Sequence, residues 1–154
     1  MGAYKFLVYS NEGGVARISL NRPEVYNALN DEITFELQDA LKDAAKDERV
    51  RVIVLTGEGK AFCAGQDLKS SSGGGKRSFL DSLHRRYNPI IRGMRNMPKP
   101  IICRLNGVAA GARFLAAALA CAGGAGGQGL IQPRRAERRA PGAAQRAAAV
   151  SDRR

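Results

Sequence analysis

Among 154 residues there is no tryptophan and a single histidine, His84. The three cysteines, Cys63, Cys103 and Cys121, are scattered and form no CxxC pair. One imidazole and unpaired thiols do not make a ligand cluster, so no metal is expected. The odd cysteine count argues against a disulfide framework and for reduced, buried thiols in a cytoplasmic protein. No apolar run reaches the roughly 18 residues that would span a bilayer. The start, MGAYKFLVYSNEG, lacks the basic and apolar regions of a secretory signal.

Acidic residues are also scarce, 14 against 25 basic, for a net charge of +11. The excess is uneven. Residues 1–112 carry 17 basic and 12 acidic side chains, whereas residues 113–154 carry eight arginines, no lysine and two acids. That last stretch has one aromatic, Phe114, and 27 of its 42 residues are Ala, Gly or Arg. Without aromatic residues for base stacking, and without a recognition motif, it does not read as a nucleic-acid module. It is too poor in large apolar groups to offset its ordering entropy.

The first part is better patterned. Tyr4–Tyr9 and Val15–Leu20 flank Asn11-Glu12-Gly13-Gly14 and predict a hairpin. Asn30-Asp31-Glu32 opens a helix with Ile33, Leu37, Leu41 and Ala44 at helical spacing. Val50–Leu55 is an apolar run of buried-strand type, and SSSGGG at 70–75 reads as a mobile loop. Phe79–Met97 predicts a helix interrupted near Pro89, and Ile101–Leu105 a further strand. A last helix would begin at about Gly111. This alternation of strands and helices fits an α/β fold.

Two of the strands end in small-residue loops. Val50–Leu55 is followed by GKAFCAGQDL (Gly59–Leu68), and Pro100–Leu105 by NGVAAGA (Asn106–Ala112). Such loops offer bare backbone N–H groups to a ligand. Two of them together are the parts of an oxyanion hole, in which one donor is worth roughly 3–4 kcal/mol.

ISLNRPEVYNALN, KAFCAGQDL and KPIICRLNGVAAGA, in this order, closely resemble the crotonase (enoyl-CoA hydratase/isomerase) superfamily, from about residue 4 to Ala112. GQDL, RRYNPIIRGM (Arg85–Met94) and GVAAGA most resemble its 1,2-epoxyphenylacetyl-CoA isomerase branch. The resemblance implies the N-terminal part of a crotonase-type (ClpP/crotonase) spiral of ββα turns, with an incomplete acyl-CoA-binding core at 1–112. It implies an acyl-CoA substrate, coenzyme A entering only as part of that substrate, and no other cofactor. The positive charge of residues 1–112 suits a phosphorylated nucleotide end. The backbone N–H groups of Ala64 and Ala112 would polarise the thioester. Arg22, Asn27, Ala28, Gly65, Gln66, Asp67 and Leu68 would line the coenzyme A site. Arg22 could instead be a solvated charge at a turn, Asn27 a turn or capping residue, and Asp67 a cap. Tyr87 could line the acyl pocket or pack in the core, and His84 reads as a surface residue. Members of the family assemble as homotrimers or hexamers.

The same resemblance exposes what is missing. Leu115 occupies the position of one catalytic glutamate, Arg113 replaces a glycine, and Glu137 and Asp152 lie in no family-like context. The C-terminal part of the fold is therefore expected to be missing or corrupted. ALAC (Ala118–Cys121) and LIQ (Leu130–Gln132) stand as islands in residues 113–154. Out-of-frame reading of GC-rich DNA after about residue 112 and a disordered basic tail both account for this composition. In either case the strands ending at Leu55 and Leu105 are expected to lack their later neighbours. Two functional expectations follow: an acyl-CoA isomerase or hydratase, or a non-catalytic acyl-CoA binder that kept the hole and lost the acid.

Overall fold

The hairpin forms around two glycines in left-handed conformations, Gly13 (φ 58°) and Gly14 (φ 84°). Two successive positive φ values make the tight turn whose twist matches its strands. The strands it joins are β1 (Leu7–Glu12) and β2 (Val15–Leu20), antiparallel with Glu12 opposite Val15. The first strand thus begins at Leu7 rather than Tyr4. The backbone N–H groups of Lys5 and Phe6 instead donate to the Glu36 carboxylate on the next helix.

The computed structural model describes residues 4–67, 83–110 and 130–133. Helix α1 (Asp31–Lys46) starts where the sequence indicates, with the Asn30 side chain accepting the Ile33 N–H at 3.0 Å. Asp31 and Glu32 lie at its positive end. At the other end Lys99 Nζ donates to the Ala44 and Asp47 carbonyls, both at 2.7 Å. That satisfies acceptors that the last turn leaves open.

Strand β3 spans Val52–Gly57, two residues later than expected, and the Arg51 N–H just before it donates to Gly14 O at 2.7 Å. Next come β4 (Ala61–Cys63), a π-helical turn (Leu83–Tyr87), α2 (Asn88–Arg95), β5 (Ile101–Leu105), β6 (Val108–Ala109) and β7 (Leu130–Pro133). The interruption expected near Pro89 appears as the change from π to α winding, with the proline in the first turn of α2. There its missing N–H breaks no helical hydrogen bond.

The main sheet has the order β1-β2-β3-β5-β7, parallel throughout except at the hairpin. One face of it is buried under the two helices. Ala16, Ile18, Leu20, Ile53, Leu55, Ile101 and Cys103 meet Ile33, Leu37, Leu41, Ile90 and Met94 in a single cluster with Phe62. Each such large side chain contributes about 1.5–3 kcal/mol on leaving water.

Strand β7 corrects one expectation. Neither Leu55 nor Leu105 is left without a later neighbour, since β3 pairs with β5, Leu55 opposite Cys103, and β5 pairs with Leu130–Pro133, both in parallel register. The island LIQ is thus part of the sheet. The loop at 70–75, the ALAC island, the helix beginning at Gly111 and the rest of 113–154 lie outside the described residues.

Candidate functional site at the junction of two strand ends

Both small-residue loops contain short strands that the sequence does not signal. β4 and β6 form a separate two-stranded parallel sheet, Ala61 opposite Val108 and Cys63 opposite Ala109. The Ala110 N–H extends it, donating to Cys63 O at 3.0 Å. A glycine at 107 is required by this junction, because a Cβ there would collide with the Lys60 carbonyl oxygen. Asn106 locks the arrangement. Its Oδ1 accepts the Gly57 N–H, and its Nδ2 donates to Gly59 O and Ala61 O.

The opposite edge of the same segment is held by residues 26–29. Ala64 N–H donates to Tyr26 O at 2.9 Å, Leu29 N–H to Gly65 O at 2.7 Å, and Asp67 N–H to Leu29 O at 2.9 Å. Residues 61–67 therefore run between β6 on one side and residues 26–29 on the other.

This register corrects the expected role of Ala64. Its N–H is already bonded to the Tyr26 carbonyl and so is not presented to a ligand. The next peptide behaves differently. The Gly65 carbonyl faces Leu29, and no peptide bond among the described residues is cis. In a trans peptide the N–H points opposite to the C=O. The Gln66 N–H is consequently directed away from Leu29, to the side that carries β6 and the second loop. Gln66 itself is exposed, and Gly65 takes a φ of 100°, a conformation open to glycine.

Asn27, expected on the ligand, is fully buried and joins three segments. Its Oδ1 accepts the Arg22 N–H, while its Nδ2 donates to Glu58 O and Ala61 O. Tyr26 and Asn27 both have positive φ, 52° and 57°. Asparagine tolerates that region, and here its own hydrogen bonds hold it there. Ala28 is buried and offers its carbonyl to Arg22 Nη1 at 2.7 Å.

Arg22 is neither a solvated charge nor open to a phosphate through that nitrogen. Its Nη1 also pairs with Asp67 Oδ2 at 3.0 Å, with side-chain exposures of 13% and 11%. Its guanidinium lies 5.5 Å from the centre of the Phe6 ring, and its Nε is buried with no hydrogen-bond acceptor. Asp67 thus holds an ion pair across the loop, a role that neither the coenzyme A reading nor the cap reading foresaw. Leu68 and Ala112 lie outside the described residues, as do Arg113, Leu115, Glu137 and Asp152.

No nucleophile stands out at the junction. Burial pushes the Cys63 thiol upward, against a weaker opposing contribution from the Gly65 N–H at 3.4 Å. Burial likewise raises Cys103, to about 12. Both thiols therefore stay protonated at neutral pH. Tyr87 packs in the core cluster and His84 is exposed. Among the described residues no group of His, Cys, Asp or Glu could hold a metal ion, and no helix is long and apolar enough to cross a membrane.

Comparison with known proteins agrees with this architecture. The family model described as enoyl-CoA hydratase/isomerase matches residues 10–122. The 1,2-epoxyphenylacetyl-CoA isomerase of Escherichia coli (strain K12) is 43% identical over 111 residues, 70% of this chain and 42% of that protein. Among solved structures, an enoyl-CoA hydratase/isomerase from Xanthobacter autotrophicus Py2 is 36% identical with a TM-score of 0.68, over 75% of this chain and 44% of that one. An enoyl-CoA hydratase from Mycobacterium smegmatis is also 36% identical, with a TM-score of 0.60 over 65% and 39%. The chain spans about two-fifths of the length of the curated relatives it matches.

Proposed function

Because the chain belongs to the enoyl-CoA hydratase/isomerase family, we propose that it binds an acyl-CoA thioester where β4 meets β6 and polarises the thioester carbonyl with backbone N–H groups. The carrying observation is the orientation of the Gly65–Gln66 peptide, whose carbonyl is fixed by Leu29 N–H at 2.7 Å. The donor of the first loop is then Gln66 N–H, and Ala112 N–H is the donor of the second. The segments on either side of β4 expose Tyr26 (59%) and Val108 (65%), apolar surface suited to the pantetheine arm and acyl part of a thioester.

Enolate-like chemistry needs this polarisation because negative charge develops on the thioester oxygen. A backbone donor supplies it with no side chain to titrate. Proton transfer needs a carboxylate as well. The two loops carry only one, Asp67, and it is engaged with Arg22. Within the family, isomerisation of the epoxyphenylacetyl-CoA type is the narrower reading, supported by the 43% identical isomerase. The leucine at position 115, where hydratases of the family carry a glutamate, speaks against hydration, and the second reading, an acyl-CoA binder without turnover, rests on the proton-transfer acid not being located in the sequence. A cytoplasmic location is part of the proposal, while a homotrimer or hexamer is proposed for the intact family and not for this chain.

Difference infrared spectroscopy with a ¹³C-labelled thioester tests the site. A bound thioester is expected to show its C=O stretch at lower wavenumber than in solution. Replacing residue 66 by its α-hydroxy acid, which swaps the N–H for an ester oxygen, is expected to abolish most of that shift. A bound thioester with an unshifted carbonyl would refute the hole. Loss of the conjugated-thioester absorbance on adding an enoyl-CoA separates an enzyme from a binder.

A further inference from the structure

The hole needs more than the Gln66 N–H; it needs that N–H to stay aimed. Gly65 precedes it, and glycine accepts positive and negative φ about equally. The Gly65–Gln66 peptide could therefore flip, turning its oxygen toward β6 and its N–H toward Leu29. Two backbone bonds from Leu29 oppose the flip, one to Gly65 O and one from Asp67 N–H. They hold only while Ala28–Leu29 and Gln66–Asp67 stay side by side.

We propose that Arg22 and Asp67 are positioning residues, whose ion pair ties these two dipeptides together and fixes the direction of the Gln66 N–H. This rests on the thioester reading given above. The Arg22 Nη1 reaches both dipeptides at once, Ala28 O at 2.7 Å and Asp67 Oδ2 at 3.0 Å. No side chain between residues 22 and 67 in sequence is needed to carry the link. Stability alone does not account for the pair. Two charges this shielded lose hydration, Arg22 Nε is left without an acceptor, and apolar replacements of such pairs are often neutral or stabilising. What a charged, hydrogen-bonded pair adds over an apolar one is a fixed geometry.

The test uses the full chain, Asp67→Asn, Arg22→Lys, and the packing-retaining double variant Arg22→Met/Asp67→Leu. Hydrogen exchange of the free protein is read at the Leu29, Ala64 and Asp67 (or substituted 67) amides, with Ile18 and Leu55 as core references. Local exchange is expected to quicken about tenfold or more while the references hold, since hydrogen bonds to charged groups carry that much differential stability. The carbonyl shift of the bound ¹³C-thioester is expected to fall by half or more. Unchanged local exchange, or a uniform acceleration that includes the core references, would overturn the proposal. So would a double variant that melts cooperatively and retains the full carbonyl shift. If exchange responds locally but the unsubstituted protein shows no shift on any thioester, the tether stands and the thioester reading falls.

Discussion

Asn27 is the residue whose loss should cost most per atom removed. Its amide is fully buried and makes three hydrogen bonds, to Arg22 N–H, Glu58 O and Ala61 O. In Asn27→Ala the Arg22 N–H loses its acceptor beneath the loop, at about 1–3 kcal/mol. The Glu58 bond is worth about 1 kcal/mol net. Ala61 O loses little, because Asn106 Nδ2 still donates to it at 3.2 Å. An alanine held at the φ of 57° adds about 1 kcal/mol over asparagine. The expected loss is therefore about 3–5 kcal/mol, a large share of the 5–15 kcal/mol that holds a typical domain. Asn27→Gly escapes the backbone strain and should be milder than alanine by about 0.5–1 kcal/mol. Asn27→Asp keeps the acceptor for Arg22 but sets a carboxylate against two carbonyl oxygens. That raises the carboxyl's folded-state pKa, so its stability should be greatest below about pH 4 and lost as the pH rises through the raised value. Urea unfolding followed by far-ultraviolet circular dichroism reads all three. A loss under about 1 kcal/mol for alanine, or a glycine variant weaker than alanine, would refute this account of the junction.

Phe62, wholly buried in the cluster, should cost about 3–5 kcal/mol when cut to alanine, measured by the same unfolding curves. Asn30→Ala should cost about 1 kcal/mol by loss of the Ile33 N–H contact, and Asn30→Ser should restore most of it. Burial raises the Cys103 thiol from 9.0 to about 12. The stability gained from keeping it protonated is full below about pH 9 and is lost as the pH climbs toward the folded value. The melting-temperature advantage of the native protein over Cys103→Ala should accordingly shrink between pH 9 and 11, and an advantage that stays constant would contradict the shift. The same burial predicts that thiol reagents leave Cys63 and Cys103 unmodified at pH 8 until urea is added.

Elements whose causes are local were legible in the sequence. Gly13-Gly14 fixes a turn by backbone freedom alone, and Asn30 caps a helix through a contact three residues away. Strands β4 and β6 were not legible, being three and two residues long with no periodicity to read. They exist because residues 61–63 and 108–109 meet across the fold. The reading of Ala64 as the first donor failed for the same reason. Which peptide N–H faces away from residues 26–29 is decided by Tyr26 and Leu29, far upstream, and no periodicity within GKAFCAGQDL records it. The one usable signal was the glycine at 65, the pivot before the outward donor. Arg22 and Asp67 were each singled out as contacts to coenzyme A, but a separation of 45 residues hides that they pair with each other. LIQ was visible as an island, while its place beside β5 required the sheet.

On the proposed reading of the junction, polarising a carbonyl and moving a proton are separable in this architecture. A backbone donor is aimed by register: once Leu29 binds Gly65 O, a trans peptide leaves Gln66 N–H no other direction. That demands small residues and correct strand pairing, both present in 59–67 and 106–110. A proton-transfer acid is aimed by its own side chain, on whichever element passes the substrate, and no register enforces it. Loss of the acid therefore leaves the sheet, the Asn27 and Asn106 locks and the Arg22–Asp67 pair untouched. On the proposed thioester reading, an isomerase and a simple thioester receptor would share this junction and differ in a carboxylate outside it.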